Sequence, residues 1–141
     1  MHVREAVLDD AGSINGISTG LGYTAVSVDI ARNRLDLLLN SESDVVWVLE
    51  KQGQVVGWLH TVLSHRLASE SFVEIAGMAV CSGFRRQGVG RNLIGHAQHW
   101  AHVKHLNLRV RCNSLREGSH NFYQAVGFVK LKSQDVFEGR S

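Results

Sequence analysis

The chain has 141 residues, enough for one domain around one core, and its 44% apolar content is that of an ordinary water-soluble globular protein. No apolar run approaches membrane-spanning length, the Met1-His2-Val3-Arg4-Glu5 start lacks the basic-then-apolar order of a secretory signal, and two cysteines with no Cys-x-x-Cys pair make no disulfide framework. The net charge of +2 hides an asymmetry, with five Lys/Arg against ten Asp/Glu over residues 1–75 and ten against three over 76–141.

The acidic half can host a cationic ligand and the basic half an anionic one, unless both are simply solvated faces. A cytoplasmic protein with free thiols at Cys81 and Cys112 is expected. Because the chain has no proline, glycine carries most of the punctuation.

His2 to Val7 alternates as a first strand, and Asp9 or Asp10 can cap a helix through Ile14 and Ile17 that ends near Gly20 or Gly22. Ile30, Leu35, Leu38 and Leu39 predict a second helix over 28–39. Val45–Leu49 and Val55–Leu63 form a hairpin around Gln52-Gly53, and Phe72–Val80 is a further meander strand. Past a glycine- and arginine-rich loop at 83–90, Val89, Leu93, Ile94, Ala97 and Ala101 recur at helical spacing. A strand over 106–110, a short helix over 115–126 closed by Gly127, and short strands at Phe128-Val129 and Asp135-Val136-Phe137 complete the order. Neither a repeat nor a linker interrupts it, so residues 1–141 read as a single domain.

The segment Val80-Cys81-Ser82-Gly83-Phe84-Arg85-Arg86-Gln87-Gly88-Val89-Gly90-Arg91 sits where a strand ends and a helix begins. The first turn of a helix leaves backbone N–H groups unpaired, and the helix dipole adds partial positive charge there. Gly88 and Gly90 remove Cβ atoms, so a phosphate can approach closely, and Arg85, Arg86 and Arg91 surround the spot with positive charge. A pyrophosphate cradle is the physical reading. Gly83 and Gly88 have P-loop spacing, but Val89-Gly90 stand where Lys and Ser/Thr are required. A dinucleotide fingerprint fails too, since Leu93 takes the third glycine's place and the preceding strand belongs to a meander.

The run Arg85-Arg86-Gln87-Gly88-Val89-Gly90, after Phe84 and Val80, resembles the Arg/Gln-x-x-Gly-x-Gly/Ala signature of the GNAT superfamily of acetyl-CoA-dependent N-acetyltransferases. A second segment, Asn113 followed by Ser119-His120-Asn121-Phe122-Tyr123-Gln124-Ala125-Val126-Gly127-Phe128, resembles the family's Ala-x-x-Phe-Tyr-x-x-x-Gly-Phe, with Ser119 replacing the alanine. Ser82 stands where many members have proline. The element order is also the family's, so the resemblance covers the whole chain. It implies an α/β fold with a mixed, mostly antiparallel central sheet flanked by helices and splayed between the fourth and fifth strands.

It further implies acetyl-CoA as co-substrate, with direct attack by an amine on the thioester and no acyl-enzyme. Met78, Ala79 and Val80 would pair their backbone with the pantetheine arm as an added strand does, and Arg85 to Arg91, that is Arg85, Arg86, Gln87, Gly88, Val89, Gly90 and Arg91, would cradle the pyrophosphate. Gly77 marks a bulge in that strand or merely relieves crowding. Asn113 would hold the pantetheine amide, or is a strand-end cap. Phe122 lines the cofactor side of the last helix and supplies its core-facing ring.

Tyr123 would protonate the departing thiolate, since a phenol and a thiol have pKa values near enough for useful proton transfer. Its bland alternative is a packed aromatic. Glu74 matches the glutamate base of the family's histone acetyltransferase branch, or is a solvated edge carboxylate; His60 and His65 are weaker candidates for the base.

His96, His99, His102 and His105 recur every third residue, but that spacing drifts around a helix and no Cys or acid is interleaved, so no metal is expected. The acceptor is read as the primary amine of a small cationic molecule such as a polyamine, aminoglycoside or amino sugar. The alternatives are a protein N-terminal or lysine acetyltransferase and a non-catalytic acyl-CoA-binding module. Nucleic acid is disfavoured because the arginines cluster at one loop without an aromatic stripe. The C-terminal hairpin hints at a homodimer.

Overall fold

Gln52 (φ 55) and Gly53 (φ 73) both adopt the left-handed conformation that a tight two-residue hairpin needs. They join β2 (Asp44–Lys51) to β3 (Gln54–Ser64), the longest paired strands of the sheet. The computed structural model describes residues 1–20, 22–111 and 117–139, the side chains of 117 and 118 excepted. These residues divide into a larger unit that ends at Val110 and a smaller one that begins at Arg111.

In the larger unit, β1 (His2–Glu5), β2, β3, β4 (Phe72–Val80) and β5 (Leu108–Val110) lie side by side in chain order. All neighbouring pairs are antiparallel except β4 and β5, which run parallel. That parallel pairing covers only Val73 to Ile75 against Leu108 to Val110. Beyond Ile75, β4 continues to Val80, past the last described β5 pair. The sheet is therefore the mixed, mostly antiparallel α/β sheet, flanked by helices, that the sequence implied.

Two irregularities set which side chains share a face. Leu49 pairs with Gly57 but Glu50 with Val55, so Val56 is an extra residue on β3. His60 pairs with Gly77 but Thr61 with Ile75, so Ala76 is an extra, exposed residue on β4. The bulge anticipated near Gly77 falls one residue earlier. Gly77 is also needed for space, since a Cβ there would lie 3.0 Å from the Trp58 ring.

Val46 and Val48 of β2 join Ala6, Ala11 and Leu35 in a buried cluster beneath α1 (Ala11–Thr19) and α2 (Val28–Leu39), completed by Ile14, Leu38 and Trp58. Trp47, lying between those valines, points to the other face. There its ring meets His96 at 4.6 Å and Trp100 at 6.0 Å on α3 (Val89–Val103). Val89, Leu93, Ile94, Ala97 and Ala101, the predicted apolar stripe, are all buried. His96 is thus a packing residue, and burial, followed by the neighbouring charge of His99, holds its pKa below the ordinary histidine value.

The first helix starts differently from expectation. A 3-10 turn over Leu8–Asp10 precedes α1, and the Asp10 carboxylate reaches back to the Val7 N–H at 2.8 Å. Arg4 binds the same carboxylate through two bonds, of 2.8 and 2.9 Å, and its Nε reaches Glu50 at 2.9 Å. Arg4 therefore cross-links β1, β2 and the start of α1.

In the smaller unit, α4 (Glu117–Ala125) is closed at Gly127 (φ 100), which lets the Phe128 N–H reach the Tyr123 carbonyl at 2.9 Å. The expected strands at Phe128-Val129 and Asp135-Val136-Phe137 do not form. Val129, Leu131, Val136 and Phe137 are each at least 69% exposed. Two strands of two or three residues with no apolar face to bury are below the size at which a hairpin is stable.

Gly57 is the tightest point of the larger unit: a Cβ there would lie 2.8 Å from Val89 Cγ1 and 3.1 Å from Leu93 Cδ1. Gly57→Ala is expected to lower the unfolding free energy by about 1–3 kcal/mol through overpacking, read from denaturant melts.

The Asp10 carboxyl is held below the usual carboxylate range, first by its bond from Arg4 and then by the Val7 N–H, against an opposing effect of burial. A depressed folded-state pKa contributes stability above the unfolded value and loses it as pH falls through the folded one. Asp10→Asn should therefore cost about 1–3 kcal/mol at pH 7. The gap to the wild type should close as melts are taken down from about pH 4.

Candidate functional site

After Val80 the chain stays on the sheet for one more bond, with the Cys81 N–H donating to the Val56 carbonyl at 2.8 Å. Ser82–Phe84 then make a 3-10 turn, which the Phe84 N–H closes on the Cys81 carbonyl at 2.9 Å. Arg86 (φ 63) and Gly88 (φ 82) take left-handed conformations on either side of Gln87, and α3 begins at Val89. A non-glycine residue at positive φ is strained by roughly 1–3 kcal/mol and is commonest where a loop is shaped for a ligand.

The N-terminus of α3 is left open. Its N-cap is Gly88, which has no side chain to accept from the first turn, and the first turn carries no acidic residue. The Asn92 N–H and the Asn92 Nδ2 both donate to the Gly88 carbonyl, at 3.0 and 2.8 Å. That fixes the turn without covering the N–H groups of Val89, Gly90 and Arg91.

Arg85, Arg86 and Arg91 are exposed and form no ion pair among the described residues. The first turn of a fifteen-residue helix, uncapped by any described side chain, and the exposed Arg85, Arg86 and Arg91 thus belong to one short segment of chain. A dianionic pyrophosphate suits this arrangement on charge, on hydrogen-bond donors and on the absence of obstructing Cβ atoms.

Lys51, at the end of β2, was not singled out in the sequence. Its ammonium donates to the Gln87 side chain and lies 5.9 Å over the Phe84 ring. The only hint of this in the chain is the position of Lys51 beside the Gln52-Gly53 turn.

The loop adjoins the free half of β4. Met78 is opposite Leu59, Ala79 opposite Trp58 and Val80 opposite Gly57, so one edge of this stretch is taken by β3. The other edge lies past the end of the β5 pairing. Among the described residues, Met78, Ala79, Val80 and the loop residues 85–91 thus follow one another from a strand edge without a partner to a helix end without a cap.

Glu74 is half-buried on the α1/α2 face, opposite Val62 on β3 and Arg109 on β5. The same face carries His60, whose Nε2 is 2.6 Å from the Asp44 carboxylate. Asp44 also accepts from the Ser41 hydroxyl at 2.6 Å and the Ser43 hydroxyl at 3.3 Å. Burial opposes its ionisation, but the bonds from Ser41, His60 and Ser43 outweigh it and lower its pKa. Farther along, the Trp58 indole donates to Ser18 of α1 at 3.0 Å and Tyr23 stacks on it at 6.2 Å. His65, the other histidine of the sequence reading, bonds Ser71 at 2.7 Å at the exposed end of the β3–β4 link.

In the smaller unit, Tyr123 is flanked by Phe122 at 5.3 Å and Phe128 at 5.6 Å, both in edge-on geometry. The three rings form one cluster. Asn113 and Cys112 lie outside the described residues. Among the described residues no group of three or more His, Cys, Asp or Glu is placed to hold a metal ion, and no helix is long and apolar enough to cross a membrane.

Known proteins share this fold. The family model for the acetyltransferase (GNAT) domain matches residues 42–130. Among solved structures, the aminoglycoside 6'-N-acetyltransferase AAC(6')-IG from Acinetobacter haemolyticus aligns with a TM-score of 0.84 at 16% identity, over 100% of this chain and 99% of its own. AAC(6')-Iy, in complex with the bisubstrate analogue CoA-S-monomethyl-acetylneamine, aligns with a TM-score of 0.87 at 19% identity, over 99% of this chain and 98% of its own. The aminoglycoside 6'-N-acetyltransferase AAC(6')-Ih from Acinetobacter baumannii gives 0.82 at 13% identity, over 99% and 98%. At these identities the likeness is one of fold. No curated protein matches the chain in sequence.

The open helix end makes a direct prediction. Acetyl-CoA should raise the melting temperature, because a ligand that binds only the folded state stabilises it by mass action. Gly88→Val forces a β-branched residue into the left-handed region and should abolish the shift while the protein still melts cooperatively. A normal shift in that variant would rule out the loop as the pyrophosphate site.

Proposed function

Because the chain belongs to the GNAT acetyltransferase family, we propose that it transfers an acetyl group from acetyl-CoA to a primary amine of a small cationic acceptor by direct attack. The observation that carries this reading is the N-terminus of α3, which no described side chain caps, in one segment with the exposed Arg85, Arg86 and Arg91 and following the end of β4.

Acetyl-CoA would supply the activated acyl carbon. The N–H groups at Val89, Gly90 and Arg91 and the three guanidiniums would bind its pyrophosphate, with Gln87 fixed by Lys51. The free edge of Met78 to Val80 would hold the pantetheine arm as a neighbouring strand would. Asn113 and Phe122 are proposed to bind the cofactor as well.

Acetyl transfer requires a proton to leave the amine and one to reach the departing thiolate. Glu74 is proposed to meet the acceptor's ammonium and is the first candidate for its base. Tyr123 is proposed as the acid for the thiolate. An acceptor that is cationic agrees with the acidic first half of the chain, where ten acids face five bases. An aminoglycoside or related amino sugar is the proposed acceptor, a choice supported by the aminoglycoside acetyltransferases among the structural neighbours. The whole of residues 1–141 is taken as one acetyltransferase domain, working in the cytoplasm.

The test is turnover. Wild-type protein should release CoA from acetyl-CoA with an aminoglycoside or amino sugar, and mass spectrometry should show the acceptor gaining one acetyl group. Tyr123→Phe keeps the ring cluster but removes the proton donor, so it should lower the rate on the order of 10²–10⁴-fold. A more activated oxo- or aryl-ester donor should recover part of that loss. Full activity with acetyl-CoA would reduce Tyr123 to packing, and an equal loss with both donors would mean a misplaced cofactor.

A further inference from the structure

The hairpin β2–β3 holds a second acid–base pair that the pyrophosphate loop and Glu74 leave unused. His60 Nε2 and Asp44 Oδ1 are 2.6 Å apart, shorter than a typical bond to nitrogen, as expected when a carboxylate accepts it. Asp44 is itself positioned by two serine hydroxyls, Ser41 at 2.6 Å and Ser43 at 3.3 Å. Those bonds keep it anionic.

A carboxylate at Nε2 selects the tautomer that carries its proton on Nε2, so the lone pair is on Nδ1. Nδ1 has no partner among the described residues. The ring is therefore oriented and ready to accept a proton. This is how a general base is arranged when a third group aligns it.

Its place in the sheet gives that base a task. His60 is the residue of β3 directly opposite Gly77, next to the Ala76 bulge, where β4 leaves β5. Residues directly opposite in an antiparallel pair have neighbouring side chains on one face, and Gly77 contributes none. His60 thus borders the point from which Met78 to Val80 run on past the last described β5 pair. Glu74, opposite Val62, shares that face.

The charged and titratable groups facing His60 are Asp44 from β2 and Glu74 from β4. Over it, α1 carries no charged residue, and α2 packs on the sheet through Leu35 and Leu38.

We infer that His60, oriented by Asp44, takes the proton from the acceptor's ammonium, while Glu74 holds that ammonium by charge. The inference rests on the acetyltransferase reading and divides the labour within it. A carboxylate beside an ammonium stabilises the protonated amine, so a site with Glu74 alone would oppose the deprotonation it must perform. The His60 ring, with its lone pair on Nδ1, can receive that proton and pass it on to solvent.

The proton balance closes. The ammonium gives one proton to Nδ1, which His60 returns to solvent. The neutral amine then forms the C–N bond as the C–S bond breaks, and the second N–H proton is matched by the one the thiolate takes up.

The experiment measures kcat and KM against pH for wild type, His60→Gln, Asp44→Asn and Glu74→Gln, with acetyl-CoA and the amine that gives the best wild-type turnover. The melting shift with acetyl-CoA checks that each variant is folded and binds the donor. Glutamine at 60 can still donate N–H to Asp44 but cannot take a proton. His60→Gln should lower kcat by about 10²-fold or more and remove the acidic limb of its pH profile.

Asp44→Asn removes the carboxylate that aligns the ring, so it should lower kcat on the order of tenfold or more and leave the melting shift with acetyl-CoA unchanged. Glu74→Gln should raise the amine KM and leave the acidic limb in place. A His60→Gln variant with wild-type kcat and an intact limb overturns the inference, as does an Asp44→Asn variant with wild-type kcat. If His60→Gln fails to fold, the kcat of Asp44→Asn decides alone. A wild type that acetylates no amine would instead overturn the acetyltransferase reading, and this inference with it.

Discussion

The seating of α3 on Gly57 is the contact on which the functional end of the molecule depends. Val89 and Leu93 occupy the space that any other residue's Cβ would need, and both are buried. Val89 is also the first residue of α3, so the same contact fixes the N-terminus of the helix against β3. Gly57 lies directly opposite Val80, the last residue of β4. One glycine thereby ties the start of the helix to the end of the strand, and the loop 81–88 has to close the short gap between them. The left-handed residues Arg86 and Gly88 follow from that closure.

An open helix N-terminus is ordinarily unfavourable, and most helices satisfy it with Ser, Thr, Asp or Asn. Here α2 follows the rule, with Ser27 accepting from the Ile30 N–H at 3.2 Å, whereas α3 does not. That difference agrees with the pyrophosphate site proposed at the start of α3. Elsewhere the fold is careful with polar groups. The Trp47 indole donates to Thr61, whose hydroxyl donates on to the Val45 carbonyl. Among the described residues no buried side-chain N or O lacks a partner. Arg4 shows the same economy: its guanidinium satisfies Asp10 and Glu50 together, and their carboxylates hold it fully protonated by raising its pKa.

Both sides of the sheet also illustrate how little separates packing from function. Trp58 covers Gly77 and bonds Ser18, while His60, two residues on, faces a bulge and carries a free ring nitrogen. Phe72 is buried between the guanidiniums of Arg66 and Arg109, at 5.3 and 4.2 Å, so the charge-bearing end of β4 is itself packed. Histidines divide in the same way. His96 is spent on the Trp47 ring, whereas His60 is held by a carboxylate.

The sequence by itself determined what depends on local patterns. The apolar stripe of α3 has a period of about 3.6, the hairpin has its Gln52-Gly53 turn, and the loop has its glycines and arginines in one short run. These signals each need only neighbours along the chain. The C-terminal strands were misread for the same reason, because short apolar runs such as Phe128-Val129 and Val136-Phe137 say nothing about whether a face exists to bury them.

Face and register were decided by the tertiary structure. Extending the Gln52-Gly53 turn without interruption would set Asp44 opposite Thr61 and His60 opposite Val45, putting acid and base on different faces. The extra residue at Val56 slips the pairing by one, setting Asp44 opposite Val62 and His60 opposite Val46, so that the two meet at 2.6 Å. A one-residue slip reverses every side chain beyond it, and the bulge that causes it is placed by packing from both faces of the sheet, which no stretch of sequence records.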